Sequence, residues 1–285
     1  MDKSEFYIHL GLPKTGTTFL QENIFSKFDS NDISFLGKAK CVSIWDLMEM
    51  PSNKYLISSE HLLANPFTCP TGKWFEVFKA NLKKVHHKFP NAKYILTLRK
   101  HESLILSYYK EHISKGNRSI YPSLKKFYDV QNDNGQVSKN DFYFKEMIEE
   151  IEKITSQRPF VFFQERLKNN PNLVINDLET FLNIPKQNID LVQGKKTNQG
   201  VKHRQSILLI FFNKINKITR GFGLNLYSPF LVKRGLTPDY LIRSKLSWLS
   251  DKPLQFTEEI SAFITENYKE DLEWVNNYIK YQNNI

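Results

Sequence analysis

The stretch FYIHLGLPKTGTTFLQENIF, residues 6–25, constrains the fold more than any other part of the chain. Residues 6–10 form a short, mostly apolar run that reads as a buried strand. Gly-Leu-Pro-Lys-Thr-Gly-Thr-Thr follows directly, and a helical pattern takes over from Thr17. A strand apolar on both faces has to be covered on both faces, which selects a parallel sheet between layers of helices. Gly11 and Gly16 let the chain turn tightly between strand and helix. The backbone amides of residues 15–18 then converge at a helix N-terminus, where hydrogen bonding and the helix dipole both favour an anion. The hydroxyls of Thr15, Thr17 and Thr18, the Pro13 turn and the charge of Lys14 complete a candidate phosphate loop. Its register is unusual. A nucleotide triphosphatase loop, GxxxxGK[ST], places its lysine directly after the second glycine, but here Thr17 stands there and the lysine is at position 14. No acidic residue ends a strand in the pattern that would hold the magnesium of such an enzyme.

The remainder of the first 190 residues repeats the strand–helix alternation. Strands are expected at 54–58 (KYLIS), 94–98 (YILTL) and 159–163 (PFVFF). Helices are expected at 17–28, 74–89, 102–114, 141–155 and 172–181, each with apolar positions at helical spacing. The expected fold is therefore α/β: a P-loop-containing three-layer α/β/α arrangement with a central parallel sheet, followed by a C-terminal helical extension. Ligands of such sheets bind beyond the carboxyl ends of the strands, so the loops after Leu10, Ser58 and Leu98 should share one rim. Residues 1–190 are read as the core. Residues 191–285 are read as a basic loop and helices packed on it within one structural domain, with 257–281 as a single long amphipathic helix.

Composition narrows the function classes. The 285 residues are 40% apolar and 14% aromatic, enough for a sizeable core, and the net charge of +10 favours an anionic partner. Two cysteines and no zinc-type spacing argue against a disulfide framework or a structural metal. No leader or bilayer-length apolar run is evident, so a soluble, cytoplasmic protein is expected. Residues 207–234 combine the apolar ILLIFF with Lys214, Lys217, Arg220, Lys233 and Arg234, a composition that suits either a packing helix with a basic outer face or a peripheral contact with an anionic membrane.

The hexapeptide PKTGTT after a short apolar strand resembles the 5'-phosphosulfate loop of the sulfotransferases that use 3'-phosphoadenosine 5'-phosphosulfate (PAPS), in its bacterial and carbohydrate-type form. The stretch YILTLRKHESLILSYYKEHI supports the resemblance. Arg99 at a strand end and Ser107 eight residues on are similar to the family's 3'-phosphate motif. A guanidinium presents a planar fork to phosphate oxygens, and a hydroxyl adds a donor. The turn at Gln164 and Glu165 with its following helix, and the basic loop GKKTNQGVKHRQ, also resemble the family. In that loop Lys195, Lys196, Lys202 and Arg204 are candidates to cover the nucleotide. The resemblance implies PAPS as donor, with PAP (adenosine 3',5'-bisphosphate) as product and no metal, and Lys14 beside the transferring group. It covers roughly residues 5–30, 54–61, 93–115 and 159–205.

Transfer of a sulfuryl group needs a base for the acceptor hydroxyl. KYLISSEHLL places Glu60 and His61 at the end of the second expected strand, and both are candidates. Glu60 is favoured because the SSE ending resembles the bacterial carbohydrate-type pattern. Adjacent residues on an incipient helix diverge by about 100°, so one of the two faces substrate. The expected acceptor is a hydroxyl, or less favourably an amine, of a glycan or glycolipid. Nucleic acid is not expected as a partner, and the oligomeric state is left open. His9 is read as a core residue, and His101 and His112 as flanking the Arg99–Ser107 motif. Two other classes compete: a nucleotide kinase or NTPase with a degenerate loop, and a basic protein that binds membrane surfaces.

Overall fold

The computed structural model describes residues 4–37, 54–60, 62, 64, 69, 73–114, 124–189, 202–246 and 252–282. The chain divides into two compact units. The first comprises residues 1–100, 143–194 and 268–285, and the second residues 101–142 and 195–267. Neither unit is a single stretch of chain.

The first unit is built on a five-stranded sheet with all pairs parallel: β1 (Glu5–Gly11), β2 (Ser34–Leu36), β3 (Lys54–Ser59), β4 (Lys93–Leu98) and β5 (Phe160–Phe163), in the order β2-β3-β1-β4-β5. The last five residues of β1, β3 and β4 and all of β5 are buried. That is why these strands read as continuous apolar runs rather than alternating ones. One sheet face carries Tyr7, Leu56, Ile95, Phe160 and Phe162. It packs on Leu20 and Ile24 of the segment after β1 and on Val174, Ile175 and Leu178 of α7 (Pro171–Leu182). On the other face Phe6 stacks with Tyr55 and contacts Phe89 at the end of α2 (Trp74–Lys88), and Phe163 meets Phe144 of α5 (Phe144–Thr155). Helices on both faces give the three-layer α/β/α arrangement expected from sequence.

Three local expectations need correction. The helix expected at 17–28 ends early: α1 spans Thr17–Asn23, and a 3₁₀ turn, Phe25–Lys27, follows. Ile24, Phe25 and Phe28 are all buried in the core, and the tighter turn lets these closely spaced side chains face the same way. The edge strand β2 was not anticipated, because three residues are too few to set a period. The single helix expected at 257–281 is two, α11 (Glu258–Asn267) and α12 (Lys269–Gln282). The break is at Tyr268, which is buried with its ring against Tyr143. It falls where the chain passes from the second unit to the first. The apolar period runs through the break, so nothing local marks it.

The returning α12 has two tasks in the first unit. The Asp271 carboxylate accepts hydrogen bonds from the amides of Phe144 (3.1 Å) and Lys145 (2.8 Å), capping α5 from a distance in sequence. Gln282 accepts from the Val161 amide (2.7 Å) and donates to its carbonyl (3.3 Å). One side-chain amide thereby closes part of the open edge of β5, which limits edge-to-edge pairing.

The second unit is helical. α3 (His101–Ser114) packs on α8 (His203–Arg220) and α11, and α8 packs on α10 (Pro238–Lys245). Short helices α4 (Leu124–Phe127) and α9 (Pro229–Lys233) lie between them in sequence; α6 (Gln164–Asn169) belongs to the first unit.

Candidate active site

β3, β1 and β4 are adjacent and parallel, so their carboxyl ends share one edge, as the sequence predicted. Leu10 pairs with Ser59, and Gly11 with Thr97. The chain leaves β1 toward β2 and β3 on one side and later returns as β4 on the other. The order therefore reverses at β1, and ligands of such sheets bind outside that reversal point. The loop 11–16 leaves the sheet there.

Two left-handed residues shape the loop. Lys14 has φ 66° and Gly16 has φ 95°. At Gly16 a side chain would also collide with Gln164, whose Nε2 lies 2.9 Å from where a Cβ would stand. Gly11 is constrained by its neighbour instead, since a Cβ there would fall 2.6 Å from Thr17 Oγ1. The threonines divide their work. Thr15 and Thr17 are buried and direct their hydroxyls at the Leu12 carbonyl, at 2.7 and 3.5 Å. Only Thr18 among the three is exposed. Two of the three hydroxyls thus reach back to the loop's own backbone. Gly16 is the N-cap of α1, and no side chain caps that terminus. The first-turn amides therefore keep their capacity for an anion. Pro13 is buried at the turn and Lys14 is half-buried.

Arg99 follows β4 directly. Its guanidinium donates to the Lys14 carbonyl at 3.2 Å, which ties the end of β4 to the loop after β1. The next amide, Lys100, donates to both oxygens of Glu165, at 3.3 and 3.4 Å. Gln164 and Glu165 open α6 after β5, so three strand ends are joined through side chains. The sequence reading that this pair organises a turn understated its reach. Gln164 abuts the phosphate loop itself, and no local pattern announces a contact between positions 16 and 164.

Beneath the rim lies a buried polar chain. His9 is fully buried in the middle of the sheet. Its Nδ1 is 2.8 Å from Ser58 Oγ, and its Nε2 is 2.9 Å from Thr97 Oγ1. Gln21 of α1 donates to the Ser58 carbonyl (2.9 Å) and hydroxyl (3.0 Å). A neutral imidazole offers one donor and one acceptor, and hydroxyls match either role. Loss of hydration lowers the His9 pKa to about 3, so the ring is neutral at physiological pH. The reading of His9 as a satisfied core residue is correct, and the network ties β3, β1, β4 and α1 together under the loop.

Glu60 is half-buried in the turn directly after β3, one residue beyond the Leu10–Ser59 pair. It therefore stands on the same edge as the loop, one strand over. His61, Lys195 and Lys196 lie outside the described residues. Ser107 is half-buried on α3, and Lys202 and Arg204 stand at the start of α8, all three in the second unit. His101 and His112 are buried in that unit. His101 Nε2 lies 3.1 Å from the Phe142 carbonyl, and burial lowers the His112 pKa to about 4. Both serve the interior there. Among the described residues no three His, Cys, Asp or Glu side chains are grouped to hold a metal ion, and no helix is long and apolar enough to cross a membrane.

This arrangement is that of a parallel α/β protein with a glycine-bounded loop and a helix N-terminus at its switch point, the lysine standing inside the loop. The model of the sulfotransferase domain matches residues 7–206, and the chain belongs to that family. Solved structures of other sulfotransferases are similar, two of them as follows. The mouse sulfotransferase SULT7A1, crystallised with PAP, has 17% identity and a TM-score of 0.39, over 66% of this chain and 61% of the mouse one. A sulfotransferase from Alicyclobacillus acidocaldarius has 13% identity and a TM-score of 0.45, over 69% and 87%. This chain thus spans less than two thirds of the mouse protein. No curated protein matches. Family membership leaves the NTPase reading, already weakened by Thr17 after Gly16, without support of its own.

Proposed function

We propose that this protein transfers the sulfuryl group of PAPS to a hydroxyl of a glycan or glycolipid, with Glu60 as general base. The carrying observation is that the Lys14 loop, Arg99 and Glu60 leave one edge of three adjacent parallel strands, with Arg99 bonded to the Lys14 carbonyl. The residues fit such a donor. Uncapped amides of α1 face the 5' side, Lys14 supplies a charge beside them, and Arg99 adds a fork of donors at the neighbouring strand end. Ser107, Lys202 and Arg204 are assigned to the 3'-phosphate and to cover over the nucleotide on the strength of the family resemblance. Lys195 and Lys196 share the second of these assignments.

In the reaction the acceptor oxygen forms a bond to sulfur while the bond between sulfur and the bridging phosphate oxygen breaks. The hydroxyl proton passes to the Glu60 carboxylate, and the electron pair of the broken bond stays on PAP. Lys14 offsets the charge that builds on the bridging oxygen and on the moving group. Positioned charges of this kind contribute most when they are already in place before the reaction. A carboxylate is a weak base toward a hydroxyl, so the acceptor has to be held close and aligned. His61 is the alternative base.

The test begins with a thermal shift by PAP against magnesium-ATP. PAP without metal should stabilise the protein and magnesium-ATP should not. Labelled PAPS is then offered with glycan and lipid extracts. Lys14→Ala should reduce transfer by on the order of 100-fold or more. Glu60→Gln should abolish it while PAP affinity is kept. A dead His61→Ala beside an active Glu60→Gln would move the base to His61.

A further inference from the structure

Helix α8 is packed with its polar side inward. Its buried positions are Gln205, Ser206, Leu209, Asn213 and Asn216, and four of these five are polar. They are held by specific bonds within the second unit. Asn213 donates to the Ile113 carbonyl (2.8 Å) and accepts from the Tyr227 hydroxyl (2.7 Å), and Asn216 accepts from the Leu226 amide (2.7 Å). The opposite side presents Ile207, Phe211, Lys214 and Ile218, spaced by three or four residues and therefore on one stripe. Phe211 is 56% exposed and Ile218 is 65% exposed. The turn after the helix continues the pattern, with Phe222 at 81% and Leu224 at 64%. Phe230 and Val232 of α9 are also exposed, and Arg234 lies over the Phe230 ring at 4.1 Å.

A helix whose buried side is bonded through amides and whose apolar side faces out is not a helix awaiting a place in its own core. Rotating it to bury the apolar stripe would break the Asn213 and Asn216 bonds and leave buried polar groups unmatched. The charge of the segment selects the occupant. Between Gln205 and Pro238 there are five basic residues, Lys214, Lys217, Arg220, Lys233 and Arg234, and no Asp or Glu. A second copy of the chain would bring like charges together. A nucleic acid would use the cations but gain nothing from exposed phenylalanine and isoleucine. A bilayer with anionic headgroups uses both, because apolar side chains enter the acyl boundary while Lys and Arg stay at the phosphates.

We propose that α8, the turn at Phe222 and α9 form a docking surface for anionic lipid bilayers, holding the protein peripherally at a membrane. The surface, which begins at Ile207 beyond Arg204, is independent of the sulfuryl-transfer reading, since vesicle binding involves no turnover and none of the residues from 207 to 234 is assigned to donor or base.

The experiment is co-sedimentation of the full chain with phosphatidylcholine vesicles, with and without phosphatidylglycerol. The wild type should bind the anionic vesicles, bind the neutral ones weakly, and be released by salt. Lys217→Glu/Arg220→Glu and Phe211→Ser/Phe222→Ser should each lower the partition constant by roughly tenfold or more. Phe222→Ser alone, at a turn where the side chain is 81% exposed, repeats the test where folding is not at stake. Each variant should retain the wild-type melting temperature. Absence of wild-type binding, or binding undiminished in all three variants, would overturn the proposal. So would light scattering that shows a wild-type dimer made monomeric by Phe211→Ser/Phe222→Ser, which would assign the surface to a second copy.

Discussion

Arg99 contacts the loop through the Lys14 carbonyl, which gives it a role before any nucleotide arrives. It steadies the backbone that presents Lys14. Arg99→Ala should therefore weaken PAP binding by about 1.5–3 kcal/mol, the range for hydrogen bonds to charged groups, as read by calorimetry. Arg99→Lys should recover little, because an ammonium lacks the fork. Affinity unchanged in Arg99→Ala would remove Arg99 from the site. His9 makes a second prediction at this scale. Its folded pKa, about 3, lies below the ordinary value of 6.5 because burial strips the charged form of hydration. As pH falls below 6.5 the unfolded chain takes up the proton first. The His9 contribution is then complete above pH 6.5 and declines toward pH 3, by roughly 1.4 kcal/mol per unit of pH. The stability gap between wild type and His9→Gln should narrow over that window in urea titrations at stepped pH. A constant gap would mean that the ring is charged or hydrated in the folded state.

The loop between β1 and α1 behaves as a single element with two supports. Gly16 has both a left-handed φ and the Gln164 side chain against it. Gly16→Ala should cost about 1–3 kcal/mol of stability and a larger share of PAP affinity, measured together by thermal shift with and without PAP. Adding Gln164→Ala should relieve the steric part and leave the cost of the positive φ. If the double variant were no better than the single one, Gln164 would not be a support of the loop. The two buried threonines illustrate the same point from the other side. A row of hydroxyls in a phosphate-loop sequence is readily taken for a row of ligands. Whether each points at the anion or at Leu12 depends on backbone angles, which the residue types leave open.

The two units exchange chain repeatedly, and the last crossing returns α12 to the sheet. Asp271 is buried and caps α5 with two charge-assisted bonds. Asp271→Ala should destabilise the protein by about 1.5–3 kcal/mol, seen as a lower urea midpoint, and Asp271→Asn should recover part of the loss. Truncation after Asn267 would go further, since it also uncovers the β5 edge that Gln282 closes. A truncated chain with a wild-type midpoint would show that α12 is dispensable.

The residues alone determined the layered parallel sheet, because strands such as YILTL and PFVFF have no polar face to give to water. They also determined the place of the loop after β1, the strand-end arginine and the buried state of His9, all features carried by neighbouring residues or by a simple period. Tertiary structure decided the rest. The break at Tyr268, the Asp271 cap, the Gln164 contact with Gly16 and the Glu165 bond to Lys100 each join positions far apart in the chain, where no local propensity speaks. The inverted packing of α8 belongs with them. Its period marks it as amphipathic, but only its bonds to Ile113, Leu226 and Tyr227 decide that the polar side faces in, and so leave an apolar, basic side facing out.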